Sequence, residues 1–461
     1  MPIPESYRTL LSSPVLVVGS ARSGQAAASL LRSKDVEVFV SDSGVISDKA
    51  KNFFTSLEIA WEENGHTEKA KNYDWIVLSP GVPSSAPIVQ YYLTEGKPVV
   101  SEIEMASWFL KEHQRIIAVT GTNGKTTVTN WLADVWKRSG KTFSVGGNLG
   151  TPFSWMMEHQ GDRDDMILEV SSFQLDHIHS FRPHVSVLLN ITPDHLDRYQ
   201  NSFDLYVASK ERITVNQKRG DFLVYNADDP HCVAIAHHLS ERENTPFLTP
   251  FSLTTPLSTG GWIENQTLTI HLNQTDEIHM HTQDLALPGI HNTGNGLATA
   301  LTALISGIKS ETIKEALSRF EGVEHRLEFV RELDGVRYIN DSKATNVNAV
   351  WYALDSVHVP VTLIMGGRDK GNNYLELESQ LRSKVRAIIA IGEATPKIEG
   401  QLTGVVPDLL KANSMADAVR MGRKMAKRGE IVMLSPACSS FDMFENYEQR
   451  GEIFKREVLS L

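Results

Sequence analysis

The chain has 461 residues, 41% of them hydrophobic and 22% charged, with a formal net charge of −11. At about 100–200 residues per domain, these totals imply two to four globular domains and exclude a disordered chain. The negative balance argues against nucleic-acid or anionic-membrane binding, and two distant cysteines, Cys232 and Cys438, argue against a disulfide scaffold. No apolar run reaches the roughly 18 residues of a membrane span. Met1 to Pro14 lacks a basic segment followed by an apolar one. A cytoplasmic location is expected.

The first region opens with the apolar run Val15-Leu-Val-Val-Gly19, followed by a helical stretch from Gln25 to Arg32 and a second strand from Val36 to Val40. Trp75 to Leu78 runs into Ser79-Pro-Gly81, and Pro98 to Val100 closes the set. Such alternation predicts a parallel sheet. In the second region Arg115 to Val119 is a strand and Thr127 to Lys137 a helix, with Trp131, Leu132, Val135 and Trp136 on its apolar side. Buried strands are predicted at Met166–Val170 and Val185–Leu189. Thr267–Leu272 and Glu277–His281 alternate in the manner of antiparallel strands, and Asn295–Ile305 returns to helical spacing. The third region starts near Val323, and its strands Val361–Met365, Ala387–Ile391 and Ile431–Leu434 each end in small or turn-forming residues. Open α/β sheets carry ligand loops at such ends.

Thr120-Gly-Thr-Asn-Gly-Lys-Thr-Thr127 joins a strand to a helix. Gly121 and Gly124 permit sharp turns, the backbone N–H groups at the helix start face phosphate oxygens, and Lys125 reaches toward the β/γ-phosphates. The hydroxyl of Thr126 suits a magnesium shell. Val119 stands where the common loop formula has its first glycine. The Gly19-Ser-Ala-Arg-Ser-Gly24 loop has Ala21 in place of the middle dinucleotide glycine. It reads as an ordinary turn, an NAD site, or a loop for another nucleotide or its diphosphate, with Asp42 after the next strand to meet a ribose or base edge.

Glu169 ends an apolar strand, where a carboxylate needs a cation: magnesium, or a salt bridge at the rim. His195, in Thr192-Pro-Asp-His-Leu-Asp197 beyond the next strand, is either a further ligand or a loop histidine; His177 and His179 read as structural. Lys210 in Ala208-Ser-Lys-Glu-Arg212 reads as a surface lysine or a phosphate contact. Asn340-Asp-Ser-Lys-Ala-Thr-Asn346, His325-Arg326 and Gly366-Gly-Arg-Asp-Lys-Gly371 place cations at loops, to hold carboxylates or ATP or merely to face solvent.

These segments, with Glu169-Val-Ser-Ser-Phe-Gln-Leu175, Asn190–Arg198, Leu287-Pro-Gly-Ile-His-Asn292 and Glu324-His-Arg326, make the chain resemble the Mur ligase family over nearly its whole length. Asn340–Asn346, Leu434–Asp442 and Phe444–Gly451 resemble its D-glutamate-adding branch. The resemblance implies an α/β chain of three domains: a Rossmann-like UDP-substrate domain at 1–103, a P-loop ATPase-like domain at 104–322, mainly parallel with a small antiparallel part, and a Rossmann-like amino-acid domain at 323–461. It implies ATP, two magnesium ions, UDP-N-acetylmuramoyl-L-alanine and D-glutamate as ligands of a monomeric enzyme that forms an amide through an acyl phosphate.

Carried over residue by residue, the resemblance assigns Gly121, Thr122, Asn123, Gly124, Lys125, Thr126, Thr127, Asn292, Arg326 and Asp341 to ATP. Ser20, Ala21, Arg22, Asp42, Ser43, Gly81, Asn148 and His195 fall to the UDP-substrate, and Lys343, Thr345, Lys370, Ser440, Phe441 and Tyr447 to D-glutamate. Thr126, Glu169, His195 and a carbamylated Lys210 fall to the metal, and Lys125, His195 and Lys210 to catalysis. Three features depart from the best-known Gram-negative pattern: Asp42-Ser-Gly44 lacks an arginine, the acid of Gly367-Arg-Asp-Lys-Gly371 comes one position later, and Tyr447 replaces a phenylalanine. Competing readings are a ligase of the same fold adding another amino acid, and a non-catalytic nucleotide-binding scaffold; the latter predicts loss of Lys125 or Glu169, and both are present.

Overall fold

The computed structural model describes residues 7, 9–148, 150–272 and 277–461. Part of the Met1–Pro14 stretch therefore lies outside the described residues. The chain divides into two compact units, one of Met1–Leu285 with Thr293–Arg319, the other of Ala286–Asn292 with Phe320–Leu461.

The first unit holds two sheets. In one, β1 (Val15–Val18), β2 (Val38–Ser41), β3 (Ala60–Glu62), β4 (Trp75–Leu78) and β5 (Val99–Ser101) lie in the order β3-β2-β1-β4-β5, all parallel. β1, β2 and β4 are buried at every position, as continuous apolar runs covered on both faces require.

The other sheet is built from β6 (Arg115–Thr120), β7 (Phe143–Gly147), β8 (Asp165–Glu169), β9 (Val185–Leu188), β10 (Phe222–Asn226), β11 (Phe247–Ser252), β12 (Gly260–Glu264), β13 (Thr267–His271) and β14 (Glu277–His281). Their order is β14-β13-β12-β11-β10-β9-β6-β8-β7. β12, β13 and β14 pair antiparallel, and β14 buries only Ile278 and Met280. One face is wet there, so the alternation read from the sequence survives in the structure. β6 is central, flanked by β8 and β9, and the loops after all three converge at one sheet edge.

Within this unit the segment after β5 is pinned to the second sheet. Glu104, fully buried, accepts from the backbone N–H groups of His179, Ser180 and Phe181 and from the Trp108 indole at 2.8 Å. His179 reaches back to the Val99 carbonyl, and His177 meets Ser84, so both histidines serve structure.

In the second unit β15 (Glu328–Leu333), β16 (Val336–Asn340), β17 (Val361–Gly366), β18 (Val385–Ile391), β19 (Asp408–Ala412) and β20 (Ile431–Leu434) lie in the order β15-β16-β20-β17-β18-β19. Only β15 runs antiparallel, in a hairpin with β16. Apolar residues of the strands and helices fill both faces, with Leu363, Ile388 and Met433 on one and Ile364, Ile389 and Val432 on the other.

Candidate functional site

The phosphate loop leaves β6 at Thr120 and enters the helix Lys125–Ser139. Gly121 has φ +150°, and a Cβ there would sit 3.0 Å from the Leu189 Cβ; Gly124 has φ +88°, with its Cβ position 2.5 Å from Oδ1 of Asn295. Neither place admits a side chain without displacement. Opposite lies the loop after β9. Thr122 N–H donates to the Asn190 carbonyl, Asn123 N–H to Asn190 Oδ1, and the Thr122 hydroxyl to the Thr192 carbonyl at 2.9 Å. The loop is therefore fixed by its own neighbours, as a preorganised anion cradle needs to be.

Two lysine side chains meet at one carbonyl. Lys125 Nζ donates to the carbonyls of Gly121 (2.8 Å) and Thr122 (2.7 Å), and Lys210 Nζ donates to Gly121 at 2.8 Å. Lys210 is 1% exposed and packs 4.7 Å over the Tyr206 ring, which removes the surface-lysine reading. The charge was legible but its burial was not: the helix Phe203–Glu211 has almost no amphipathic pattern, and only the tertiary fold turns Tyr206, Ser209 and Lys210 inward. Burial, reinforced by the Lys125 charge, holds the Lys210 amine well below its ordinary pKa.

Glu169, at the end of β8, is 2% exposed and accepts from the Thr126 hydroxyl at 2.6 Å and from Asn148 Nδ2 at 3.1 Å. Asn148 itself sits beyond β7, where Gly147 (φ +101°) lets the backbone approach within a Cβ's breadth of the Glu169 carbonyl. The Thr127 hydroxyl is buried without a hydrogen-bond partner among the described residues. His195 occupies a left-handed conformation (φ 52°) at the start of the turn Leu196–Tyr199, its ring edge-on to Phe173 at 6.1 Å and its Nε2 3.8 Å from Asp194.

At the first sheet, Gly19 (φ +97°) packs against Ser79, and Ser20 donates to Asp42 Oδ2 through both N–H and hydroxyl at 2.7 Å. Gly44 N–H donates to the other oxygen, Oδ1, at 2.9 Å. Ala21 and Arg22 are exposed at the head of the helix Arg22–Arg32, and Ser43 is exposed beside Gly44. Arg198, to which the sequence alone assigns no role, donates to the carbonyls of Pro80 (2.9 Å) and Gly81 (2.6 Å) and stacks 4.6 Å over Phe173. It ties the Gly81 loop to the His195 segment. Asn190, Tyr206 and Asn295 were likewise missed; their contacts to the phosphate loop arise from sequence-distant segments.

In the second unit a small concavity is lined by His291, Arg326, Asp341 and Tyr352. Asp341 accepts from Ser435 at 2.7 Å and from Leu327 N–H at 3.2 Å; burial outweighs Arg326 and these donors and pushes its carboxyl up to about 6. Burial and Arg326 push His291 down to about 4. Asn292 donates to Pro288 at 2.8 Å.

The buried Arg450 joins two loops nearby: its guanidinium donates to the Ser342 hydroxyl and carbonyl and to the Cys438 carbonyl at 3.0, 2.7 and 3.1 Å. Lys343 lies 5.3 Å over the Tyr447 ring, so that ring keeps an aromatic role. Ser440 is buried and Thr345 half-buried, whereas Phe441 is 61% exposed. Lys370 is exposed on the Gly366–Gly371 loop without a hydrogen bond or ion pair among the described residues. Asp369, the displaced acid, binds Lys397 at 2.7 Å and the Tyr374 hydroxyl at 2.9 Å. Glu324, His325 and Glu452 lie close enough for a cation, but the Lys455 ammonium already bonds to both carboxylates.

A strand–loop–helix with an invaginated lysine and a buried carboxylate beside it, set in a parallel α/β sheet, defines a phosphate-binding nucleotide protein. The family models narrow this class: the Mur ligase middle domain matches residues 119–303, the MurD N-terminal domain 15–88, and the Mur ligase glutamate ligase domain 325–438. The chain is 46% identical over 453 residues to the UDP-N-acetylmuramoylalanine--D-glutamate ligase of Salinibacter ruber, covering 96% of this chain and 97% of that one. It is 42% identical over 448 residues to the enzyme of the same name from Christiangramia forsetii, covering 97% and 99%. Among solved structures, the UDP-N-acetylmuramate-alanine ligase of Thermotoga maritima superposes with a TM-score of 0.62 at 18% identity, covering 97% of this chain and 99% of that one. The chain belongs to the Mur ligase family.

Proposed function

We infer that the chain catalyses the ATP-dependent joining of D-glutamate to UDP-N-acetylmuramoyl-L-alanine, releasing ADP and phosphate, in peptidoglycan precursor synthesis. The end-to-end match to relatives bearing that activity's name is the observation that carries the reading. The convergence of Lys125, Lys210, Thr126 and Glu169 on one loop supports it chemically. In this proposal residues 1–103 hold the UDP-substrate, 104–322 hold ATP, and 323–461 hold the amino acid, in a monomeric cytoplasmic enzyme.

A carboxylate is a poor electrophile because an attacking amine has to expel oxide. An oxygen of the L-alanyl carboxylate attacks the γ-phosphorus, the bond to the β-phosphate oxygen breaks, and ADP departs. The D-glutamate amine then attacks the acyl carbon and loses a proton; the carbon–oxygen bond breaks and phosphate leaves with that oxygen. Lys125 and the loop N–H groups of Gly121–Thr127 take the charge of the transferring phosphoryl group. Asn292, Arg326 and Asp341 hold the adenosine end. Ser20, Ala21, Arg22, Asp42, Ser43, Gly81 and Asn148 form the UDP-substrate side, and Lys343, Thr345, Lys370, Ser440, Phe441 and Tyr447 orient D-glutamate.

The donors fit magnesium: a buried carboxylate, Glu169, already carries the Thr126 hydroxyl, His195 lies on the facing loop, and the Thr127 hydroxyl has no partner among the described residues. When bound, magnesium offsets negative charge on the phosphates. A second ion needs another carboxylate, and Lys210 is suited to provide it. Its uncharged amine adds carbon dioxide, forming an N–C bond as one C=O π pair moves onto oxygen and a proton leaves nitrogen, so that a neutral amine becomes an anion. The depressed pKa of Lys210 favours the reacting form of the amine.

Phosphate release measured with a panel of amino acids and UDP-muramyl acceptors tests the reading. Release that requires both D-glutamate and UDP-N-acetylmuramoyl-L-alanine supports it; equal release with another amino acid points to the same fold serving a different step.

A further inference from the structure

Asp42, the acid placed to meet the base or ribose, already accepts three hydrogen bonds, from the Ser20 N–H and hydroxyl on Oδ2 and from the Gly44 N–H on Oδ1, bracing one loop against the next. The position after Ser43 is Gly44 and offers no side chain. A different group faces the same ground. The turn after β3 lies along the turn after β2, with Gly65 N–H donating to the Asp42 carbonyl at 3.2 Å and Asn64 N–H to the Gly44 carbonyl at 3.0 Å. This turn delivers His66 beside Asp42 at the carboxyl ends of the first sheet's strands, where ligands of such sheets bind.

His66 is held in a defined hydrogen-bonding state. Its Nδ1 is 2.7 Å from the Ser41 hydroxyl oxygen, and that same oxygen is 2.7 Å from Glu62 Oε1. A hydroxyl has one proton. Glu62 is an acceptor, fixed by Thr67 through its hydroxyl (2.6 Å) and N–H (3.1 Å), and these bonds together with Ser41 outweigh burial and keep its carboxyl below the ordinary range. The Ser41 proton therefore goes to Glu62, and Ser41 accepts the Nδ1 proton of His66. Burial outweighs Glu62 and Asp42 and lowers the imidazole pKa, favouring the neutral ring. Nε2 is left as a bare acceptor, with no hydrogen-bond partner among the described residues on a ring that is only partly buried.

We propose that Nε2 of His66, oriented by Ser41 and Glu62, accepts the N3–H of uracil and makes this loop selective for a uridine nucleotide. Uracil presents a ring N–H between two carbonyls, whereas cytosine presents a bare nitrogen at that place and would set acceptor against acceptor. The inference rests on the UDP-substrate reading above and names the residue that recognises the base.

The test compares UDP with N3-methyl-UDP as competitors of UDP-N-acetylmuramoyl-L-alanine in the full enzyme, and repeats the comparison with His66→Ala. The intact enzyme is expected to favour UDP by about tenfold, the size of one well-made hydrogen bond. His66→Ala is expected to bind UDP about tenfold more weakly and to lose the preference, with the KM for ATP unchanged. A purely structural role for His66 would lower all affinities and leave the UDP preference intact, which overturns the proposal. So does an intact enzyme that fails to distinguish the two nucleotides, a result independent of how the variant folds. Failure of UDP to compete at all would instead overturn the UDP-substrate reading.

Discussion

Two loops of the first unit share one architecture and differ in chemistry. Each follows an inner strand that pairs in parallel with both neighbours, turns on a glycine with positive φ, and opens a helix: Gly19 before Arg22–Arg32, Gly121 and Gly124 before Lys125–Ser139. The second gathers two lysines on one carbonyl and buries its hydroxyls. The first gathers acceptors, Asp42, Glu62 and His66, and leaves its one cation, Arg22, exposed. A helix start supplies N–H groups to both, so the fold alone provides for phosphate; the side chains brought in from neighbouring strands decide whether polyphosphate charge or a neutral base is read.

The largest effect should come from breaking the cationic loop alone. Lys125→Ala is expected to reduce phosphate release on the order of 10³-fold. Binding of the UDP-substrate, measured by calorimetry, should stay within a factor of about two. Equal loss of both would mean that the two loops do not divide the work.

Lys210→Ala should cost roughly 10²-fold in turnover, and added formate or acetate should restore part of it by replacing the missing carboxylate. Unaided full activity would remove Lys210 from the metal site. Asp42→Ala probes the other loop: the Ser20 and Gly44 donors lose their acceptor, and the KM for the UDP-substrate is expected to rise about tenfold with the KM for ATP unchanged.

The smallest effect leaves both loops intact. Asp341 is raised to about 6 in the fold, so between the ordinary aspartate value and that pH the native state binds more protons than the unfolded chain. The stability held by its protonated form is complete below the ordinary value and is lost as pH rises through about 6. In the proposed ATP role the ionised carboxylate acts together with Arg326, so the KM for ATP should increase as pH falls below about 6. Asp341→Asn should flatten both the melting-temperature profile and the KM profile across that interval.

The loop glycines, Lys125 and the inner strands were legible because their signals are local: continuous apolar runs, glycines at turns, a lysine at a helix start. The edge strands Ala60–Glu62 and Asp408–Ala412 were not, since partly exposed edge residues carry little pattern. The hairpin of β15 with β16 was visible only at its end near Tyr338 and Ile339. Residues whose importance depends on distant partners were hidden to the same degree. Arg198 reaches carbonyls 118 and 117 positions away, and Arg450 reaches Ser342 over 108. Lys210 is the sharpest case, because nothing in its helix distinguishes a solvated lysine from one buried under a phosphate loop.

The central claim is that the cationic loop activates a carboxylate by phosphorylating it. Supplying UDP-N-acetylmuramoyl-L-alanine labelled with ¹⁸O in its carboxylate, together with ATP and D-glutamate, tests this directly. The account predicts one labelled oxygen in each molecule of released phosphate. Unlabelled phosphate accompanying amide formation would contradict it.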